Sequence, residues 1–264
     1  MTTARGLAAC ALLLGGAVGG ASAQDDVPFI TTPDRVTVAM LQAAGVTARD
    51  HVLDLGSGDG RIVITAAKRF GASGLGVEIV PELVAKSRAN ARAAGVEARV
   101  EFREQDLFAT DLARATVVTM YLLPEVNLQL RPRLLALAPG TRIVSHDWDM
   151  GDWRPDRTLT LDVPDNAIGR EKTSQMHLRV VPARLHGLWC AGDVAMEVRQ
   201  RFQRFSATLQ PRGAQAPAAM FDGRIDGTQA APDGGFTAQA RLRLDGHADS
   251  GTVHLVQIGG ASAS

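Results

Sequence analysis

The chain has 264 residues, 45% of them hydrophobic, and its 28 basic and 28 acidic side chains leave a formal charge of zero. That length exceeds one ordinary domain and falls short of three. Neither 24–183 nor 184–264 carries the basic excess of a nucleic-acid binder, which counts against a DNA or RNA substrate.

The first 23 residues read as a targeting segment. Arg5 is a minimal positive charge, Leu7 to Val18 an apolar run, and Ala21-Ser22-Ala23 a cleavage signal before Gln24. The run is shorter than the ~20 residues of a comfortable membrane span. The expectation is cleavage after Ala23 and export to the periplasm or beyond. The alternative is an uncleaved leader that anchors the protein at the inner membrane. Leu7-Ala8-Ala9-Cys10 mimics a lipoprotein signal but lies too near the start to leave an apolar region before it. After cleavage Cys190 is the one thiol, read as a small buried hydrophobe.

From Val27 to about Ala183 helical and strand patterns alternate. A helix opens at Pro33 and stops at Gly45; strand 51–55, helix 60–70, strand 74–78, helix 81–94 and strand 98–103 follow, with Pro81 at a first turn and Gly71 and Gly95 as stops. Strand 116–123 is apolar almost throughout, as in a central parallel strand. A helical stretch over 124–137 contains Pro132, which predicts a kink or two short pieces. Strand 141–146 and candidates at 158–163 and 175–182 complete a seven-strand count. Such alternation predicts a parallel sheet with helices on both faces, its ligand beyond the carboxyl ends of the strands.

After residue 184 the pattern changes. Segment 195–209 alternates apolar and polar with a phase slip between Phe202 and Phe205, predicting a bulge. Strand-like runs at 219–225, 235–245 and 251–258 are separated by Gly, Asp and Pro clusters, and 214–219 reads as a flexible connection. The expected organisation is a leader (1–23), an α/β domain (24–183) and a small antiparallel β domain (184–264), the last a meander or partial barrel.

The chemistry concentrates at Val52-Leu53-Asp54-Leu55-Gly56-Ser57-Gly58-Asp59-Gly60-Arg61. A buried strand runs into three alternate glycines, so backbone N–H groups can approach a ligand closely. A dinucleotide turn needs a third glycine where Arg61 stands, and Asp54 would oppose a pyrophosphate, so a nicotinamide oxidoreductase is disfavoured. Asp54 suits a cationic, amine-bearing tail instead. Glu78 ends the next strand, where a carboxylate can accept both hydroxyls of a ribose.

These residues, with Val27-Pro28-Phe29-Ile30-Thr31-Thr32-Pro33, resemble the class I, seven-strand S-adenosylmethionine (SAM)-dependent methyltransferases. They are similar in particular to the mitochondrial protein-lysine methyltransferases acting on the ATP synthase c subunit and the adenine nucleotide translocase, and to bacterial relatives. The likeness covers roughly 27–155. It implies a Rossmann-like sheet, SAM as cofactor, and a lysine side chain of a protein as substrate. It also implies cofactor contacts from Thr32, Asp54, Gly56, Ser57, Gly58, Asp59, Glu78, Ile79, Gln105, Asp106 and Leu107, with Pro28 to Thr32 as a lid. An acid or amide at 105–106 would address the adenine; a helix cap is the plainer role for Asp106.

Tyr121-Leu122-Leu123-Pro124 stands where many N-methyltransferases carry an Asn- or Asp-Pro-Pro-aromatic loop, and only Tyr121 and Pro124 match it. Tyr121, His146 and Asp147 are the candidate catalytic residues, since a lysine ammonium must lose a proton before transfer. The His/Asp run 146–152 is read as loop carboxylates rather than a metal site. Trp148 and Trp153 either line a substrate cleft or cover the sheet edge. A non-catalytic envelope-binding module built on the same fold is the competing function, separable by SAM-binding calorimetry and methyl transfer.

Overall fold

The computed structural model describes residues 32–164, 172–191, 194–211, 213–215, 217, 219–233, 240–243 and 254–257. The leader, the 28–31 part of the lid, and much of the strand runs expected at 235–245 and 251–258 lie outside the described residues.

The described residues form two seven-stranded sheets. In the first, β1 (His51–Leu55), β2 (Ser73–Glu78), β3 (Val100–Glu104), β4 (Val117–Met120) and β5 (Arg142–His146) run parallel in the order 3-2-1-4-5. The order reverses at β1 and β4, which is where a crevice opens in such sheets. β6 (Arg157–Asp162) and β7 (Thr173–Val180) complete the sheet, β7 lying antiparallel between β5 and β6. The all-parallel expectation therefore fails at this edge. β6 and β7 pair directly as antiparallel neighbours, so β7 enters the sheet against the direction of β5.

The helices alternate with these strands: α1 (Asp34–Ala43), α2 (Arg61–Phe70), α3 (Pro81–Ala93) and α4 (Pro124–Leu135). One face of the sheet packs Leu53, Leu55, Val118, Met120 and Ile143 against Leu130 and Leu134 of α4. The other packs Val52, Val117 and Val144 against Val36, Met40 and Leu41 of α1 and Ile62 and Ala66 of α2. α4 is one helix, not two pieces. Pro132 sits in its last turn, so the missing N–H removes one bond near the end while buried Leu130 and Leu134 hold the helix on the sheet.

Between β5 and β6 no helix forms. Residues 147–156 carry the chain from the carboxyl end of β5 to the start of β6, with Met150 and Trp153 fully buried against the α4 face.

The second sheet is an antiparallel meander, β8 (Gly187–Ala191) through β9 (Val194–Arg201), β10 (Arg204–Pro211), β11 (Ala219–Asp226), β12 (Gln229–Pro232), β13 (Ala240–Arg243) and β14 (His254–Gln257). The phase slip at Phe202 is not a bulge. It is the two-residue turn of the β9–β10 hairpin, closed by the Arg201–Arg204 pair. Both sheets belong to one compact unit, and 181–186 between them is largely buried. Among the described residues no helix is long and apolar enough to cross a membrane.

Candidate active site

The turn after β1 is shaped by glycine. Gly56, Gly58 and Gly60 take φ of 77°, 53° and 81°, which side chains other than glycine's rarely adopt. At Gly56 a Cβ would stand 3.1 Å from Leu122 Cδ2 as well. The turn is tied to β2, because Gly56 N and Ser57 N both donate to Val77 O at 3.0 and 2.9 Å.

Asp54 and Glu78 flank this turn on adjacent strands at one edge of the sheet. Asp54 is 2% exposed and accepts from Thr119 Oγ1 at 2.7 Å, a neutral partner. Burial pushes its carboxyl up to about 7, and the charges of Glu78 and Asp59 add to the rise. Glu78 accepts from Gly58 N at 3.0 Å and from Ile79 N and Val80 N at 2.8 and 3.1 Å. Beyond it Ile79 is 58% exposed, and across the neighbouring strand end Phe108 is 40% exposed. Asp106 caps the short 3-10 helix Leu107–Ala109, accepting from Phe108 N at 2.7 Å. Gln105 Nε2 donates to Thr110 Oγ1 at 3.1 Å, and Leu107 packs against the core.

Asp59 lies in the same turn with both carboxylate oxygens on Arg61, at 2.9 and 2.8 Å. Arg61 Nη1 also donates to Thr32 O at 2.8 Å, which binds the segment before α1 to the glycine turn. Arg61, which in the sequence excludes a dinucleotide turn and closes the motif shared with the methyltransferases, therefore also builds the site. Thr119, the partner of Asp54, and Arg61's bond to Thr32 span long stretches of sequence, so spacing gave no sign of either.

The acceptor side stands at the ends of β4 and β5. The rings of Tyr121 and His146 lie 4.0 Å apart, and Tyr121 Oη donates to Asp147 Oδ2 at 3.2 Å. His146 is 2% exposed, with Nδ1 3.4 Å from Thr32 Oγ1 and Nε2 3.4 Å from Asp147 Oδ2. Burial drops its imidazole to about 4, against the opposing pull of Asp147, so it is neutral near pH 7. Burial likewise raises the Tyr121 phenol to about 12, helped by Asp147, and it keeps its proton. The Asp147 side chain is 31% exposed and its backbone φ is 57°, a strained setting for a non-glycine residue. The structure thus brings Thr32, Tyr121, His146 and Asp147 together beside the glycine turn. Among the described residues no cluster of metal-binding side chains occurs.

Among the described residues Ser57 Oγ and His146 Nε2 are buried without hydrogen-bond partners. An orphaned hydroxyl, a buried carboxylate with no cation against it and a glycine turn with no room for Cβ fit a small ligand bearing an ammonium group. SAM has that group. Comparison with known proteins agrees. A family model, the ANTKMT methyltransferase domain, matches residues 54–157. A protein-lysine N-methyltransferase of Saccharolobus islandicus is 44% identical over 138 residues, 52% of this chain and 86% of that protein.

The chain belongs to the SAM-dependent methyltransferases.

The mouse lysine N-methyltransferase named for the c subunit of ATP synthase is 39% identical over 42% of this chain, and the match spans 44% of that protein's length. A crystal structure described as an RNA methyltransferase from Salinibacter ruber, in complex with S-adenosyl-L-homocysteine (SAH), is 50% identical to this methyltransferase. It covers 59% of this chain and 96% of its own, with a TM-score of 0.53. The protein is an enzyme, and SAM is its cofactor.

Proposed function

We propose that this methyltransferase modifies the side-chain nitrogen of a lysine in a protein. The observation that carries the reading is the Tyr121–His146–Asp147 cluster, in which a partly exposed carboxylate and an aromatic ring stand together at the rim. That pairing suits a cationic amine, which a ring face and a carboxylate both attract. Leu123 and Trp148, 46% and 42% exposed, give the rim an apolar character. Loss of hydration against such a surface eases release of the ammonium proton, in opposition to the pull of the Asp147 carboxylate. Asp147 is the placed acceptor for that proton. His146 stays neutral behind it, and Tyr121 holds the carboxylate by its hydroxyl. The names of the lysine-modifying relatives support the same substrate. The balanced charge of the chain argues against RNA.

On the cofactor side, Asp54, the hydroxyl of Ser57 and Glu78 would hold the amino-acid and ribose parts. Gly56 and Gly58 would let the ligand approach the backbone, whose amides there are engaged by Val77 O and Glu78. Ile79, Asp106 and Leu107 would hold the base. Asp59 acts through Arg61, and Gln105 through the 105–110 loop. When bound, SAM supplies a methyl group on a sulfonium, and the protein supplies position and a dry surface. The test is transfer of labelled methyl from SAM into cell extracts, followed by hydrolysis. Label in methyl-lysine of a protein supports the reading; label confined to RNA overturns it. We also infer export by the 1–23 leader. An intact mass beginning at Gln24 supports this, and a retained leader favours the membrane-anchored form.

A further inference from the structure

Among the described residues only Asp147 and Phe202 are non-glycine residues with positive φ, 57° and 54°. They lie on two elements that meet through the loop 147–156. Phe202 is the first of two residues joining β9 to β10, and the second, Gln203, has no positive φ. That is the backbone pattern of a type II′ turn, whose first position normally takes glycine. A phenylalanine stands there although its backbone is strained.

What the turn touches accounts for it. The Phe202 ring stacks on Trp153 at 6.2 Å between centroids and 19° between planes. Gln203 is 5% exposed and bonds in both directions: its Oε1 accepts from Trp153 Nε1 at 3.0 Å, and its Nε2 donates to Asp156 Oδ2 at 2.9 Å. Arg201 donates to Asp152 at 2.6 Å and Arg224 pairs with Asp156. From the other side Asn127 of α4 donates to Asp149 O at 3.1 Å, and Arg131 donates to Met150 O at 2.9 Å. The acceptor residue Asp147 is itself paired with Gln175 of β7, donating its N–H to Gln175 O at 2.7 Å and accepting from Gln175 N at 2.9 Å. The stretch 149–156 that follows is thus gripped between α4 and a hairpin tip of the second sheet. That hairpin lies beyond the residues matched by the family model.

We propose that Gln203, with Phe202, is a positioning residue for methyl transfer: the β9–β10 turn sets where the loop that follows Asp147, with Trp148 on its rim, stands on the acceptor side, without touching the cofactor side. This rests on the acceptor site proposed above. The test uses the full chain, SAH for calorimetry, and poly-L-lysine as acceptor. Gln203→Leu is expected to lower kcat/KM for poly-L-lysine by about tenfold to a hundredfold, the range for a displaced acceptor group. Its SAH affinity and its KM for SAM stay within about twofold of wild type, the spread between two measurements of an untouched site. Trp153→Phe, which removes the indole N–H together with the pyrrole part of a buried ring, should also impair the acceptor step, and the double variant should lose less than the sum of the two single losses. Phe202→Gly relieves the turn and removes the ring, so it should keep the fold and still impair the acceptor step.

Hydrogen exchange of the amides at 148–154 reads the loop directly and should quicken in Gln203→Leu. Unchanged exchange, additive losses, or SAH affinity falling in step with turnover would overturn the proposal. If the wild-type enzyme binds SAH but leaves poly-L-lysine unmodified, the lysine reading is what fails, and the exchange comparison still decides the role of the turn.

Discussion

At the scale of single residues, Asp54 concentrates the conflict between stability and binding. A carboxyl whose folded pKa lies near 7, above its ordinary 3.8, gives the folded state an extra proton between those values. The ligand-free protein therefore loses stability from this group as pH climbs through that window. A ligand ammonium needs the ionised form, so SAH affinity is expected to fall about tenfold per pH unit below 7; calorimetry across pH 5.5 to 8 measures it, those limits chosen to bracket the pKa at which about half the carboxyl is ionised. Asp54→Asn keeps the bond from Thr119, removes the buried charge, and should raise the melting temperature of the ligand-free protein at pH 8 by several degrees while SAH binding disappears; pH 8 is about one unit above the pKa of this group. Tyr121→Phe deletes a hydroxyl bonded to a carboxylate, worth about 1.5–3 kcal/mol. It should lower acceptor kcat/KM by about tenfold to a hundredfold at unchanged SAH affinity. The sequence showed Asp54 and Glu78 because each closes an apolar strand. It did not show Thr119 or the second role of Arg61, since those depend on which strand lies beside β1 and on where Thr32 comes to rest.

At the scale of elements, local signals read well where one element sets its own geometry. The glycine turn, the α2 and α3 stops and the all-buried β4 were legible from punctuation and apolar runs. Gly56→Ala should show how much the turn matters. A left-handed backbone at alanine costs about 1–2 kcal/mol, and the added methyl meets Leu122, so SAH binding should drop sharply while circular dichroism is retained. Signals misled where a neighbour decided the outcome. Pro132 predicts a kink or two short pieces, and packing of Leu130 and Leu134 keeps α4 in one piece. Phe202 was read as a bulge because no glycine or asparagine marks the turn. The antiparallel β7 could not be seen in a strand pattern, because direction depends on how the preceding segment travels.

At the scale of the whole molecule, the two sheets are joined by polar and aromatic contacts as well as by the chain itself. Trp153 with Gln203, Asp156 with Arg224, and Ala183 N with Gly227 O at 2.7 Å cross between them. One compact unit of this kind is expected to melt in a single transition, with far-ultraviolet circular dichroism and tryptophan fluorescence superimposing. Two resolved transitions would show that the sheets unfold independently. The sequence conveyed a change of style near residue 184 but not this joint, since none of the residues that make it is near its partner in the chain.

The route from β5 to β6 has a consequence of its own. Where a helix would have committed that stretch to a repeating pattern of buried side chains, irregular backbone needs only Met150 and Trp153 inside. Exposed side chains that, among the described residues, make no bond to α4 or to the second sheet, such as Trp148 and Arg154, are free to vary in identity, as surface connections generally are. Selection for a new target can thus change these side chains and leave the grip on the methyl donor intact.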